Sequence, residues 1–277
     1  MQENKCPLAI RTVFDPVSVI CEWSNLKLDD WQDKICRGRD DILAVCGRQV
    51  GKSTAAEIAG LASILQNIDS LCIIISITQR QSTKILKDCR RMLLKIPASG
   101  RPGIRKNTET QLTLSNGSTI MALPSGTLAG GSGLRGFAPH TTICDEASFI
   151  PDAIFHDVIS PMHAVTRGRM LVITTPNFSG GWCYDLFCSG TIRVIEVRSD
   201  QCPRISKKFL DHQRKTTPKS AYRREYECAW LALGSGVFDV DAISRAFQKI
   251  PDNPFRTAEY GGYKSLATTP KKSLRVQ

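Results

Sequence analysis

The segment Cys46-Gly47-Arg48-Gln49-Val50-Gly51-Lys52-Ser53-Thr54 has the residue types and spacing of a phosphate-binding loop. It follows a short apolar run and opens a helical pattern at Ala55-Ala56-Glu57. Successive backbone N–H groups from Gly47 to Gly51, with those of Ser53 and Thr54 at the helix start, form a cradle for phosphates. Unpaired amides and the helix dipole both favour an anion there. Lys52 is placed to reach the β- and γ-phosphates of a nucleotide, and the Ser53 hydroxyl to ligate Mg²⁺. Cys46 stands where the generic pattern has glycine, so the loop is a variant. The plain alternative is a chance Gly-Lys-Ser at a helix start.

A second set lies at Thr141-Thr142-Ile143-Cys144-Asp145-Glu146, a strand ending in two carboxylates. In an ATPase of this kind the first holds Mg²⁺ and the second polarises the attacking water as a general base. Adjacent acids at a strand end are common on surfaces. Their order after the phosphate loop is what gives the pair weight. A third set, Ile173-Thr174-Thr175-Pro176-Asn177, closes another strand. Hydroxyls at that edge of a parallel sheet can sense the γ-phosphate, although taken alone the segment reads as a strand running into a turn.

The elements that must position these groups follow from the hydrophobic pattern. Short apolar runs at Ile42–Cys46, Leu71–Ser76, Thr142–Cys144, Met170–Thr174 and Ile192–Val197 alternate with helical stretches. That alternation predicts an α/β fold with a mostly parallel sheet flanked by helices, its strands covered on both faces. Gln111–Leu114 and Ser118–Leu123 flank Asn116-Gly117, a hairpin signal. Helices are predicted at Ser53–Gln66, Arg80–Leu94, Lys207–Lys215 and Ser220–Leu233. A glycine-rich loop covers 125–133.

The ordered set resembles the ATPase domain of the large terminase subunits that package viral DNA. In that family an Arg-Gln pair inside the phosphate loop and a non-glycine first position are usual, which accommodates Cys46. Leu28-Asp29-Asp30-Trp31-Gln32 resembles the family's adenine-contacting segment, and Ile77-Thr78-Gln79-Arg80-Gln81-Ser82 the segment after its second strand. Asp145-Glu146-Ala147 continues as the family does, and Thr174-Thr175-Pro176-Asn177 is similar to its coupling motif. Ala221–Tyr226 and Gly236-Val237-Phe238 resemble the close of the domain.

The resemblance implies a P-loop fold of the additional-strand, catalytic-glutamate class with a small helical C-terminal subdomain. It implies ATP and Mg²⁺ as cofactors, with Gln32 selecting adenine, Glu146 as base, Arg48 at the γ-phosphate and Thr174 and Thr175 coupling hydrolysis to movement. Arg135 is a candidate arginine finger for a neighbouring subunit, with a solvated loop residue or a DNA phosphate contact as alternatives. The implied partners are double-stranded DNA, a portal protein, a small terminase subunit and further copies of the chain in a ring, in the host cytoplasm and not on a membrane. A helicase-like ATPase and a non-catalytic nucleotide-binding assembly module are the rival readings.

The chain's 277 residues, 42% hydrophobic and 23% charged, exclude disordered and fibrous classes. They divide into an expected ATPase core (1–200), a helical closing subdomain (201–250) and a tail or linker (251–277). The few acidic residues after Phe238 give no expectation of nuclease activity. The net charge of +11 is uneven: residues 1–200 hold 22 basic and 19 acidic side chains, and 201–277 hold 15 and 7. Arg204, Lys207, Lys208, Arg214, Lys215, Arg223 and Arg224 are therefore expected to face DNA or a further domain. Eleven cysteines without a CxxC pair predict reduced, packed thiols, and the four histidines show no metal-ligand spacing.

Overall fold

Strand β1 (Ile42–Cys46) is five apolar residues in succession, and all five are buried, as a central strand covered on both faces requires. In a computed structural model that describes residues 7–128 and 137–232, it belongs to one sheet. The other strands are β2 (Leu71–Ser76), β3 (Ile104–Asn107), β4 (Gln111–Leu114), β5 (Thr119–Pro124), β6 (Thr141–Asp145), β7 (Arg169–Thr174) and β8 (Arg193–Val197). Their order is β3-β4-β5-β2-β6-β7-β1-β8. The strands from β5 to β8 run parallel, and β3 and β4 add an antiparallel edge. The Asn116-Gly117 turn makes the β4–β5 hairpin, with Gly117 at φ 85°, where a side chain would be strained.

Strand β7 lies between β1 and β6, the insertion that defines the additional-strand class. Because all three are parallel, their C-terminal ends share one edge of the sheet, where the three predicted motifs then meet. Strand β8 departs from expectation. It is an outer strand with Arg193 and Glu196 exposed rather than a fully covered one.

One face of the sheet carries α4 (Lys52–Gln66) and α5 (Gln79–Lys95), within a residue of the predicted ranges. Beside them pack α1 (Leu8–Phe14), α2 (Pro16–Ser24) and α3 (Asp30–Arg37) through Leu8, Val17, Ile20 and Ile35. The other face buries Ile154, Val158, Met162 and Trp182. These come from α6 (Asp152–Ile154), a π-helical turn (Phe155–Ile159), α7 (Ser160–Thr166) and α8 (Trp182–Ser189).

The chain then closes with α9 (Lys207–Thr216) and α10 (Lys219–Glu227). The last helix stops well short of the predicted Leu233. Cys228 takes a left-handed conformation (φ 57°), and its thiol donates to Val197 O at 3.3 Å. Leu231 then bridges Phe178 instead of continuing a helix. All ten described cysteines are free thiols, most of them buried. His140 and His163 are hydrogen-bonded to backbone, and no group of three or more metal-capable side chains occurs among the described residues. No helix there is long and apolar enough to cross a membrane.

Between α4 and α5 lies a buried carboxyl the pattern did not mark. Burial, with Asp88 beside it, pushes Glu57 up to about 8. Lys84 Nζ sits 2.9 Å from Asp88 and 3.9 Å from Glu57, Arg91 reaches Asp88 at 3.0 Å, and the Cys89 thiol donates to Glu57 O. A raised folded-state value means protonated Glu57 stabilises the fold fully below its ordinary range. That contribution is lost as pH climbs towards 8. Glu57→Gln is therefore expected to raise the melting temperature at about pH 9, by stability on the order of 3 kcal/mol, and to converge with wild type near pH 5. Thermal melts across that range check it, and parallel pH curves for the two proteins would refute it.

Candidate nucleotide site

The loop after β1 is anchored at both ends. Gly47 N donates to Val197 O at 2.8 Å and Arg48 N to Glu225 O at 2.7 Å, while Ser199 Oγ donates to Arg48 O at 3.0 Å. A Cβ at Gly47 would run into Ser199, so glycine is required for this approach. Gln49 (φ 61°) and Gly51 (φ 99°) both adopt left-handed backbone and wind the loop into α4. Among the described residues no backbone acceptor takes the amides of Gln49, Val50 or Gly51. The first-turn amides of Lys52, Ser53 and Thr54 lack intrahelical partners by helix geometry. Ser53 and Thr54 are half-buried there. The amides left open to an anion therefore run from Gln49 to Thr54, and those of Gly47 and Arg48, expected in the cradle, are taken by Val197 O and Glu225 O.

Lys52 is where three motifs converge. Its Nζ donates to Thr175 Oγ1 at 2.6 Å and sits 2.6 Å from Glu146 Oε1. Thus the ends of β1, β6 and β7 meet within one side chain's reach. Glu146 itself lies at φ 52°, a strained conformation for a non-glycine residue and one that collects at functional sites. Thr174 does not join Thr175 at Lys52. It is fully buried, and its Oγ1 accepts from Ser148 N at 3.0 Å and donates to Ser148 Oγ at 2.9 Å. It thereby fixes the turn Ala147–Phe149 that follows Glu146.

Asp145 is 6% exposed, and burial followed by the charge of Glu146 pushes its carboxyl up to about 6. Its Oδ1 is buried without a hydrogen-bond partner among the described residues. Such an atom asks for a cation. With the Ser53 hydroxyl on the neighbouring helix start, the donor set suits Mg²⁺.

Gln32 is 3% exposed. Its Oε1 accepts from Asp29 N and its Nε2 donates to Gly51 O, each at 2.9 Å. Gln32 therefore holds the loop, with one Nε2–H unbonded among the described residues. Arg204 does the same from the closing segment: it grips Asp29 with two bonds of 2.8 and 2.7 Å and donates to Val50 O at 2.8 Å. Arg48 pairs with Glu225 of α10. Burial works against the Glu225 charge, but Arg48 and Arg224 outweigh it and hold the carboxyl below the usual range. Arg204, Arg214 and Arg224, three of the seven residues expected to face DNA or a further domain, have acidic partners within the chain. Arg135 lies outside the described residues.

Sequence reasoning gave no individual role in the nucleotide site to Ser148, Ser199, Arg204 or Glu225, and placed Asp29 only within the segment that ends at Gln32. Only Asp29 had a local signal, the capping box it forms with Gln32 at the start of α3. The cleft these elements enclose, about 440 Å³, is lined by Arg48, Gln49, Lys52, Glu146, Phe149 and Thr175 among others.

Known proteins share this fold. The ATPase domain of the large terminase of Thermus phage P74-26 superposes with a TM-score of 0.64 at 22% identity, covering 76% of this chain and 97% of that one. The large terminase of a thermophilic bacteriophage, in complex with ATP-γ-S, gives 0.58 at 13% identity, covering 74% of this chain and 53% of that one. The HK97 bacteriophage large terminase gives 0.53 at 15% identity, covering 80% and 47%. The chain thus spans about half the length of the last two. At these identities the likeness establishes the fold. The family follows from a sequence profile described as terminase large subunit, T4likevirus-type, N-terminal, which matches residues 43–245. With Glu146 and Thr175 meeting on Lys52 of the phosphate loop, this chain belongs to the terminase large-subunit family and carries its N-terminal ATPase domain.

Proposed function

We propose that the chain hydrolyses ATP with Mg²⁺ and drives double-stranded DNA into a viral procapsid. The observation that carries this reading is the meeting of Lys52, Glu146 and Thr175 at one point beside an anion cradle. The thermophilic bacteriophage terminase has been solved with ADP and with ATP-γ-S, which supports an adenine nucleotide here. Its phosphates would lie against the amides of Gln49–Thr54 with Lys52 on the β- and γ-groups. Ser53 and Asp145 would hold Mg²⁺, which when bound neutralises phosphate charge.

Glu146, oriented by its strained backbone and the turn that Thr174 fixes, takes the proton of the attacking water. Thr175, bonded to Lys52, is placed to register whether the γ-phosphate is present. Arg48 must leave Glu225 to reach that phosphate, so the closing helix α10 would feel the same event. Gln32 acts through the loop and offers its remaining N–H to the base. Arg135 completes the site from a neighbouring copy in a ring on the portal, with the small subunit delivering DNA in the host cytoplasm. Among the described residues, 201–232 close the core; the remainder of the expected subdomain, to residue 250, lies outside them.

Steady-state phosphate release by the purified chain, with Mg²⁺ or with a chelator, tests the reading. Turnover that needs the metal and rises when duplex DNA and portal protein are added supports it. A chain that neither binds nor hydrolyses ATP would refute it, and ATP-dependent strand separation would favour a helicase-like motor instead.

A further inference from the structure

The near-balance of charge over residues 1–200 conceals a local excess. Residues 79–109 carry nine Lys or Arg and two Asp or Glu, a net of +7, so the rest of residues 1–200 is acidic overall. Residues 79–109 form α5, the turn after it, β3 and the start of the β3–β4 connection. Arg80, Lys84, Lys87 and Arg90 line a single groove of about 820 Å³ with Thr78, Gln81, Thr83 and Glu109. Their spacing of three to four residues stacks them on one face of the helix. At ~1.5 Å per residue they cover about 15 Å, several phosphate spacings of a nucleic-acid strand.

Two of the four are already engaged. Lys84 Nζ meets Asp88 at 2.9 Å, and Arg90 Nη2 donates to Thr108 O at 2.5 Å. The side chains of Arg80 and Lys87 are exposed and have no hydrogen-bond or ion-pair partner among the described residues. We propose that this groove on α5 receives the sugar-phosphate backbone of double-stranded DNA. The inference rests on the reading of the chain as a DNA motor, and it moves the contact from the closing helices to the sheet's own flank.

The lining argues for a duplex over other polyanions. It contains no aromatic side chain on which the bases of a single strand could stack. It also lacks the aromatic and apolar centre of a protein interface, where lysine is depleted. What it offers is mobile charge with short hydroxyl and amide groups, the set that bonds phosphate oxygens. Gln81 lines both this groove and the nucleotide cleft. With Thr78 it also forms the capping box that fixes the first turn of α5. A change at the nucleotide therefore has a short mechanical path to the groove.

Fluorescence anisotropy of the full chain with a mixed-sequence duplex of about 30 base pairs, across a salt series and without nucleotide, tests the placement. Each lost phosphate contact removes roughly 0.9 from the slope of log K against log salt. Arg80→Ala with Lys87→Ala should therefore flatten the slope by about 2 and weaken binding about tenfold or more at low salt. ATP turnover without DNA should be unchanged. Arg80→Lys with Lys87→Arg should restore both slope and affinity, and Lys207→Ala with Lys208→Ala should alter neither.

Unchanged binding by the alanine pair, or the whole effect at Lys207 and Lys208, overturns the placement while leaving the motor reading intact. Equal competition by polyglutamate would identify an acidic protein surface instead. A chain that turns over ATP but binds no duplex overturns the DNA reading together with this site.

Discussion

Glu146→Gln is expected to retain ATP and to lose turnover by about 10²–10⁴-fold, the range contributed by a positioned general base. The amide keeps the shape of the carboxylate, and a glutamine occupies the left-handed backbone at φ 52° as readily as a glutamate. The turn held by Thr174 is therefore undisturbed. What is removed is the ability to accept a proton and the charge that sits 2.6 Å from Lys52. Nucleotide affinity should consequently hold or tighten, because a phosphate no longer competes with a carboxylate for the same ammonium. Single-turnover phosphate release measured beside equilibrium binding separates the two effects. A rate within about tenfold of wild type would show that another group takes the proton.

The second large effect is expected at Lys52. Lys52→Ala removes the cation shared by all three motifs, and a donor aimed at transferring phosphoryl groups contributes about 10²–10³ in kcat. Affinity for nucleotide should fall with it. The fold should lose some stability too, because the two side chains are only 13% and 24% exposed and removing the lysine leaves Glu146 without its counter-charge. Lys52→Arg should fail to restore turnover, since a planar fork does not replace a point charge in contact with both Thr175 and Glu146. Isothermal binding, steady-state kinetics and a thermal melt on the three proteins check this. An arginine variant with wild-type kinetics would remove the argument from geometry.

Much of the site was legible because its signals are local. Strand, loop and helix around Gly47–Thr54 follow within a few residues of one another, and β6 and β7 announce themselves by short β-favouring runs ending in chemistry. The hairpin at Asn116-Gly117 was legible for the same reason. Two further local signals were present but not used: Asp15 and Pro16 start α2, and Asp29 with Gln32 starts α3. The groups that shape the loop from a distance had no such signal. Glu225 meets Arg48 across 177 residues, and nothing in Arg204 itself points to Asp29 or Val50. Counting charge over long stretches had a similar limit: it registered the surplus after residue 200 but averaged away the +7 on α5 and β3.

The anchoring of Gly47 and Arg48 has a consequence in time. The amides of those two residues are taken by Val197 and Glu225, so the loop's geometry depends on chain made long after its sequence. At translation rates of about 5–20 residues per second, the 177 residues between Arg48 and Glu225 take roughly 10–35 s to synthesise. Strand β1 and helix α4 are complete well before then. A growing chain therefore carries the letters of a nucleotide site for many seconds before it carries the grip, and the two become one only as α10 leaves the ribosome.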